Sequence, residues 1–339
     1  LSESNKVYWE KRQVQKYLSG EKLVSDYYRD LKKSFEQSKR EIEKVIRDFV
    51  MRYGVENESP SYADALQKLN QVEIGDLQAF IDKAKENMGK YNLELNNMSI
   101  RARITRYQAL EKQIDIVLQQ LYGIEYQYKG EETLKNIYSD SYYRTWFNLD
   151  QYFGFHAEFA QISAKTVEEL IRYPFDGANF SGRIWKQKAH LLQQLNESVT
   201  TMLIQGRNPR ELAGEFSKKF VTKEYEAYRL LHTEASFIIE QGTQAAYKED
   251  DIEEYQWLAT LDMVTCEHCQ ERDGKKFKTS EGVVGKTIPP LHPFDRCTTI
   301  PVIGEEDEDE TRVARNKTTG KNYKVPASVT YKEWKEKYV

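Results

Sequence analysis

The sequence predicts a mainly α protein. It should have an elongated N-terminal helical bundle, then an α+β C-terminal domain with a small region of strand and loop. Three observations carry this. Apolar residues recur at steps of three and four through most of the first 250 positions, the period of a helix with one buried stripe. After residue 250 the chain turns to short polar pieces rich in Gly and Pro. All three Cys fall between positions 266 and 297. The expected division is a helical domain over 1–175, a helical part of a second domain over 176–250, and its α+β part over 251–339.

The first expected helix covers 21–53, with Leu23, Tyr27, Leu31, Phe35, Ile42, Val45, Ile46 and Phe49 on one face. Gly54 and the run Glu58-Ser59-Pro60 end it. A second covers about 62–88 through Leu66, Leu69, Leu77, Phe80, Ile81, Ala84 and Met88, and a third about 91–121, with Gly123 as its stop. More helix is expected at 131–150 and 156–172, before Pro174. Ser181 precedes a helix carrying Ile184, Leu191, Leu195, Val199 and Leu203, which Gly206 ends. Asn208-Pro209 with Glu211 is an N-terminus signal: Asn caps, Pro occupies the first helical position and Glu reaches back. A short helix follows, then another over 223–247. Tyr255 to Thr260 and Tyr323 to Val325 read as strands. Each helix has an apolar stripe rather than an apolar circumference, so the stripes must pack on one another or on a partner.

Composition narrows the function. Among 339 residues, 39% are hydrophobic and 31% charged, with 23 Tyr, which suit half-buried faces and interfaces. No eighteen-residue apolar stretch exists, so no membrane helix is expected. Leu1 is not an initiator Met and no apolar run follows it, so a fragment or processed product without a signal peptide is expected. The formal charge of -4 argues against a protein that coats duplex DNA along its whole surface. Local basic groups remain: Arg101, Arg103 and Arg106 in one cluster, Lys32, Lys33, Lys39 and Arg40 on the first helix, and a tail that includes Arg312, Arg315, Lys317, Lys321 and Lys324. These are the candidate contacts to double-stranded DNA, through phosphates and without sequence readout. The bland reading is a set of solvated helix faces. The acidic run Glu305 to Glu310 adjoins the tail and is a candidate shield for it.

The Cys pattern points to metal. Cys266 and Cys269 have the CxxC spacing, and His292 and Cys297 follow more than twenty residues later in a Pro-rich loop. Two short loops giving two ligands each satisfy tetrahedral zinc, and four protein ligands leave no open coordination position, so the zinc is expected to be structural. The segment is poor in apolar residues, and metal binding would then supply folding energy. His268 is the alternative fourth ligand, and Asp295 is a poorer match for a thiolate-rich site. A CxxC redox pair is a further alternative, but it lacks its usual strand-to-helix setting.

The motifs Trp257 to Asp262, Cys266-x-x-Cys269, Asp273 to Phe277 and Pro289 to Cys297 resemble the C-terminal domain of phage head morphogenesis proteins, minor capsid proteins related to protein F of phage Mu. Gln205 to Pro209, Thr233-Glu234 and the tail from Thr319 to Trp334 extend the resemblance, in the form found in phages of low-GC Gram-positive hosts. The family's usual ending is His-Pro-Asn-Cys-Arg-Cys. Here Phe294 and Asp295 replace Asn and the first Cys, and His232 stands for an Arg before Thr233-Glu234.

The resemblance implies a low-copy, non-catalytic protein inside the virion near the portal, present in the host cytoplasm during assembly. It would aid head assembly and DNA packaging, retention or ejection, with portal, scaffold or major capsid protein as partners. The same domain has been compared with ADP-ribosyltransferases, so an enzyme packaged in the virion is the alternative, with Glu234 as its candidate pocket residue. Against it, no Gly-rich phosphate loop and no nucleophile elbow occur in the sequence. A portal- or scaffold-binding protein without DNA contact is the third reading.

Overall fold

The computed structural model describes residues 5–55, 58–88, 104–154, 161–174, 177–303, 311–315, 321–326 and 329–338. It is mainly helical, with a small sheet in the C-terminal region. The chain forms two compact units, each assembled from separated stretches. One comprises Leu1–Asp26, Glu132–Asn179 and Arg229–Val339; the other comprises Tyr27–Glu131 and Phe180–Tyr228. The expected domains are sequential by contrast.

The helices in chain order are α1 (Asn5–Tyr53), α2 (Tyr62–Ala65), α3 (Gln71–Met88), α4 (Arg106–Gln120), a π-helical segment (Leu121–Tyr128), α5 (Lys129–Phe153), α6 (Ala164–Ile171), α7 (Phe180–Gln205) and α8 (Pro209–Glu249). Helix α1 starts sixteen residues before the expected position, because its buried face continues through Trp9, Gln13 and Lys16, the last two polar and so without an apolar period. The expected 62–88 helix is divided by a turn, and Asn70 starts α3 with a reciprocal cap: Glu73 N–H donates to Asn70 Oδ1 at 3.0 Å and Asn70 N–H to Glu73 Oε2 at 2.7 Å. Thr105 and Gln108 form the same device at α4.

Gly123 does not stop the third helix. It lies inside the π segment that carries the chain into α5, where widening of the turn absorbs the glycine without ending the hydrogen-bonded run. The two expected helices after Pro209 are one, since Phe216, Phe220, Ala227 and Leu231 keep the buried face continuous. Asn208 caps it through Arg210 N–H at 2.9 Å, while Glu211 reaches back to the Arg207 guanidinium at 2.9 Å.

In the unit built from 27–131 and 180–228, Leu77, Ile81, Ala84 and Met88 of α3 pack with Ala109 and Ile116 of α4. In the other unit, strand β1 (Glu254–Leu258) lies between β2 (Lys276–Lys278) and β3 (Thr298–Pro301), antiparallel to both. Tyr255, Leu258 and Ile300 of this sheet share a core with Trp9, Leu149 and Tyr247. A hairpin of β4 (Thr311–Arg315) and β5 (Asn322–Pro326) follows. Tyr331 and Trp334 of the C-terminal helix Tyr331–Tyr338 seal the hairpin together with Leu261, Ala314 and Val325.

Candidate metal centre

Two loops meet at Cys269. The first begins where Cys266 N-caps the one-turn helix α9 (Glu267–Gln270), so the last helix, Tyr331–Tyr338, is α10. Cys266 Sγ accepts the Cys269 N–H at 3.4 Å, which suits a thiolate at a helix start. The second loop runs from Pro289 to Cys297. Cys266, Cys269 and His292 bring their ligand atoms within 4.8 Å of one another, and so do Cys269, Asp295 and Cys297. Tetrahedral zinc with thiolate and imidazole ligands separates its donor atoms by about 3.5–3.8 Å. Cys269 Sγ and His292 Nε2 stand 3.6 Å apart. The donor chemistry and the Cys269–His292 spacing fit zinc, and Cys269 is the member common to both groups.

His292 is preset for the task. Its Nδ1 lies 2.8 Å from the Pro293 carbonyl, which can only accept, so Nδ1 carries the proton and Nε2 offers its lone pair towards Cys269. His268 is exposed and belongs to neither group of ligand atoms.

The thiols are electrostatically unequal. The Cys269 thiol is pulled down to about 7, chiefly by the hydrogen bond it receives from Cys297, against burial and the Asp295 charge. Cys297 is pushed well up by donating that bond and by its own burial. Burial also raises Cys266. Cys269 is therefore the readiest thiolate. Trp257, Ala259 and the two buried thiols form an apolar wall behind the site.

Asp295 is the residue that sequence reasoning undervalued. It is 2% exposed and its oxygens lie 3.7 Å from Cys269 Sγ, a ligand-like distance. Both oxygens are already committed. One accepts Leu291 N–H at 2.7 Å and the other Cys297 N–H at 2.9 Å. Asp295 thus ties the loop into a ring on either side of His292 and ahead of Cys297. Phe294 beside it has φ of 60°, a conformation that Asn tolerates and Phe does not favour. That explains why Asn suits this position in the ending His-Pro-Asn-Cys-Arg-Cys.

Two further contacts join the loops. Arg296 makes a two-pronged pair with Asp262, at 2.6 and 2.9 Å, and holds its carboxyl below the usual range despite burial. Asp273 accepts Ala259 N–H at 2.9 Å and Tyr331 N–H at 2.7 Å, linking the end of β1 to the start of α10.

Residues 193–300, which include both ligand loops, match the family described as phage Mu protein F like protein. This segment resembles that family, one of phage head proteins, in agreement with the motifs. The chain is 27% identical over 265 residues to the NAD(+)--arginine ADP-ribosyltransferase EFV of Enterococcus faecalis, covering 70% of this chain and 53% of that protein. It is also 27% identical over 122 residues to an uncharacterized protein of Haemophilus influenzae, covering 36% of this chain and 27% of that one. The chain therefore spans about half the length of the first relative and about a quarter of the second. No solved structure matches it.

Within the Mu F-like segment, α8 is the platform on which the second loop and β3 rest. Thr233 Oγ1 accepts Phe294 N–H at 3.4 Å, Ser236 donates to the Asp295 carbonyl at 3.1 Å, and Glu240 accepts from Thr298 and Thr299. Gln244 and Tyr247 donate to Thr299. These positions recur at three- and four-residue steps along one helix face. His232, where the family has Arg, pairs with Glu21 at 2.9 Å. Thr233 is thereby accounted for as a docking residue. Glu234, the candidate pocket residue, is 4% exposed.

The expected DNA contacts separate. Arg101, Arg103 and Lys317 lie outside the described residues, as do the acidic run 305–310 and the side chains of Arg312 and Arg315. Lys321 and Lys324 are exposed. Arg106 is engaged: it faces Glu73 at 3.5 Å, donates to Gln67 at 3.0 Å and lies 4.4 Å over the Tyr53 ring.

Proposed function

We propose that this chain is a minor structural protein of a phage head, located inside the capsid near the portal. It aids head assembly and DNA packaging, retention or ejection, and it contacts DNA through phosphates. The family match over residues 193–300 carries the reading. No helix among the described residues is long and apolar enough to cross a membrane. Cys266, Cys269, His292 and Cys297 would hold one zinc ion whose chemistry is structural: it cross-links two loops that have little apolar core of their own. Asp295 and the α8 face orient those loops.

The test is protein mass spectrometry of purified particles of the phage that encodes the chain, before and after DNA ejection. Recovery at low copy in DNA-filled heads is expected. Its absence from heads, together with free protein in the lysate, would refute the assignment.

The name of the Enterococcus relative favours a second reading, an ADP-ribosyltransferase. The burial of Glu234 on α8 weighs against it, since a catalytic carboxylate must reach the dinucleotide. Transfer of label from NAD to an arginine analogue, lost in Glu234→Gln, would establish that reading in place of the non-catalytic one.

A further inference from the structure

A cleft of about 720 Å³ opens among α1, α3 and α4 in the unit built from 27–131 and 180–228. Its floor is apolar, with Phe49, Leu77 and Leu110 buried beneath it. Its rim is charged, and the charges divide into two classes. Arg52 is neutralised by Asp76 at 2.8 Å and Arg106 by Glu73 at 3.5 Å. Arg40, Lys44, Arg47 and Lys83 also line the cleft and are exposed, yet they make no hydrogen bond or ion pair among the described residues. Only Glu41 and Asp48 remain on the rim to offset them. A chain of net charge -4 thus gathers a local positive excess at this one cleft.

The arrangement is directional. Positions 40, 44 and 47 are four and three residues apart, so they form one stripe along α1. At about 1.5 Å rise per residue the stripe is roughly 10 Å long. Successive phosphates of one DNA strand advance about 3.4 Å along the duplex axis, so the stripe matches about three of them. Lys83 of α3 lines the same cleft. The guanidinium groups of Arg40 and Arg47 suit phosphate oxygens as two-pronged donors.

We infer that this cleft is a docking site for the phosphate backbone of DNA, with Arg40, Lys44, Arg47 and Lys83 as its contacts. The choice of DNA over another polyanion rests on the head-protein reading above. The site lies outside the Mu F-like segment and shares only Arg40 with the contacts expected from the sequence. The DNA is gripped without base readout, and the engaged pair Arg106–Glu73 braces the cleft without contributing positive charge.

The test is fluorescence anisotropy of a short labelled duplex with the full chain, from roughly 50 to 200 mM KCl. The quadruple variant Arg40→Gln, Lys44→Gln, Arg47→Gln, Lys83→Gln alters exposed side chains only, and circular dichroism checks that it is folded. It is expected to bind at least about tenfold more weakly at low salt, with the slope of log K against log salt reduced by about three to four. The pair Lys321→Gln, Lys324→Gln is expected to bind like the unmodified chain. Wild-type affinity and slope in the quadruple variant, or no binding by the unmodified chain at low salt, would overturn the inference. Polyglutamate that competes as well as duplex of equal charge would make the cleft an acidic-protein site and overturn the phosphate assignment. A chain recovered from heads whose quadruple variant binds DNA normally loses this inference alone, not the head assignment.

Discussion

Replacing Lys16 by Met is expected to stabilise the protein. Lys16 is 2% exposed; its Nζ donates to Thr243 and, at 3.4 Å, to Thr145. Burial drives its pKa from the ordinary 10.5 down to about 8, although the charges of Glu240 and Asp140 pull it back up. That drop corresponds to about 3 kcal/mol against the charged form in the folded state. Met fills a similar volume without charge, at the cost of two Nζ hydrogen bonds worth about 1 kcal/mol each or less. Glu240 keeps its Thr298 and Thr299 donors, and its own pKa is already raised by burial. The net gain is about 1–2 kcal/mol at pH 7, or a rise in Tm of roughly 1–3 °C.

The pH dependence supplies the sharper check. Between about pH 8 and 10.5 an unfolded Lys16 holds its proton while the folded one releases it, so the wild type gains stability as pH rises through that window. Below pH 8 both states are protonated and the full penalty stands. Lys16→Met has no such gain. Calorimetry of both proteins at pH 7 and 9.5 should therefore show the variant ahead at pH 7 and its lead shrinking at pH 9.5. A variant that melts below the wild type at pH 7, or a lead independent of pH, would refute the reasoning.

Asp295→Ala should leave the Leu291 and Cys297 N–H groups buried without acceptors and lower zinc affinity by about 10–100-fold, measured by competition with a chromophoric chelator, whereas Asp295→Asn, which keeps one acceptor oxygen, should lose less. Gly242→Ala should destabilise by about 1–3 kcal/mol in thermal unfolding, because a Cβ there would stand 3.0 Å from the Tyr138 carbonyl and 3.1 Å from the Tyr142 nitrogen, backbone atoms that cannot step aside. Arg296→Met should weaken acid resistance in a way that tracks Asp262. The Asp262 carboxyl is held low, so its contribution is present above the ordinary carboxylate range and lost as pH falls through its folded pKa; melting curves from pH 7 to 3 should show a smaller acid-induced loss in the variant, from a lower starting Tm.

The helices were legible because a packed helix needs an apolar stripe, and the stripe through Leu31, Phe35, Ile42 and Phe49 is buried as its spacing predicts. Helix ends were less legible. Gly123 carries a stop signal locally, yet tertiary packing of Leu121, Tyr122 and Tyr126 holds the segment helical in a widened form. The CxxC and the His-Pro loop announced a cluster because few other arrangements use those residues at that spacing, and the structure brings Cys266, His292 and Cys297 around Cys269. Asp295 was weighed only as a ligand, because sequence does not reveal that its carboxylate is spent on two backbone N–H groups. Ser236, Glu240 and Gln244 carried no signal in the sequence, since a polar face against a loop and a polar face against water have the same composition. The basic stripe on α1 was half seen: Arg40 was noted, but its convergence with Lys83 depends on a tertiary approach of α1 and α3.

We propose that one structural zinc at Cys266, Cys269, His292 and Cys297 closes the two loops. The most direct measurement is metal content by mass spectrometry on protein purified without added zinc, paired with thiol titration before and after chelator. The account predicts one zinc per chain and three thiols that are slow to react until the metal is removed. Metal-free, folded protein whose thiols react freely from the start, with a melting temperature unmoved by chelator, would contradict it.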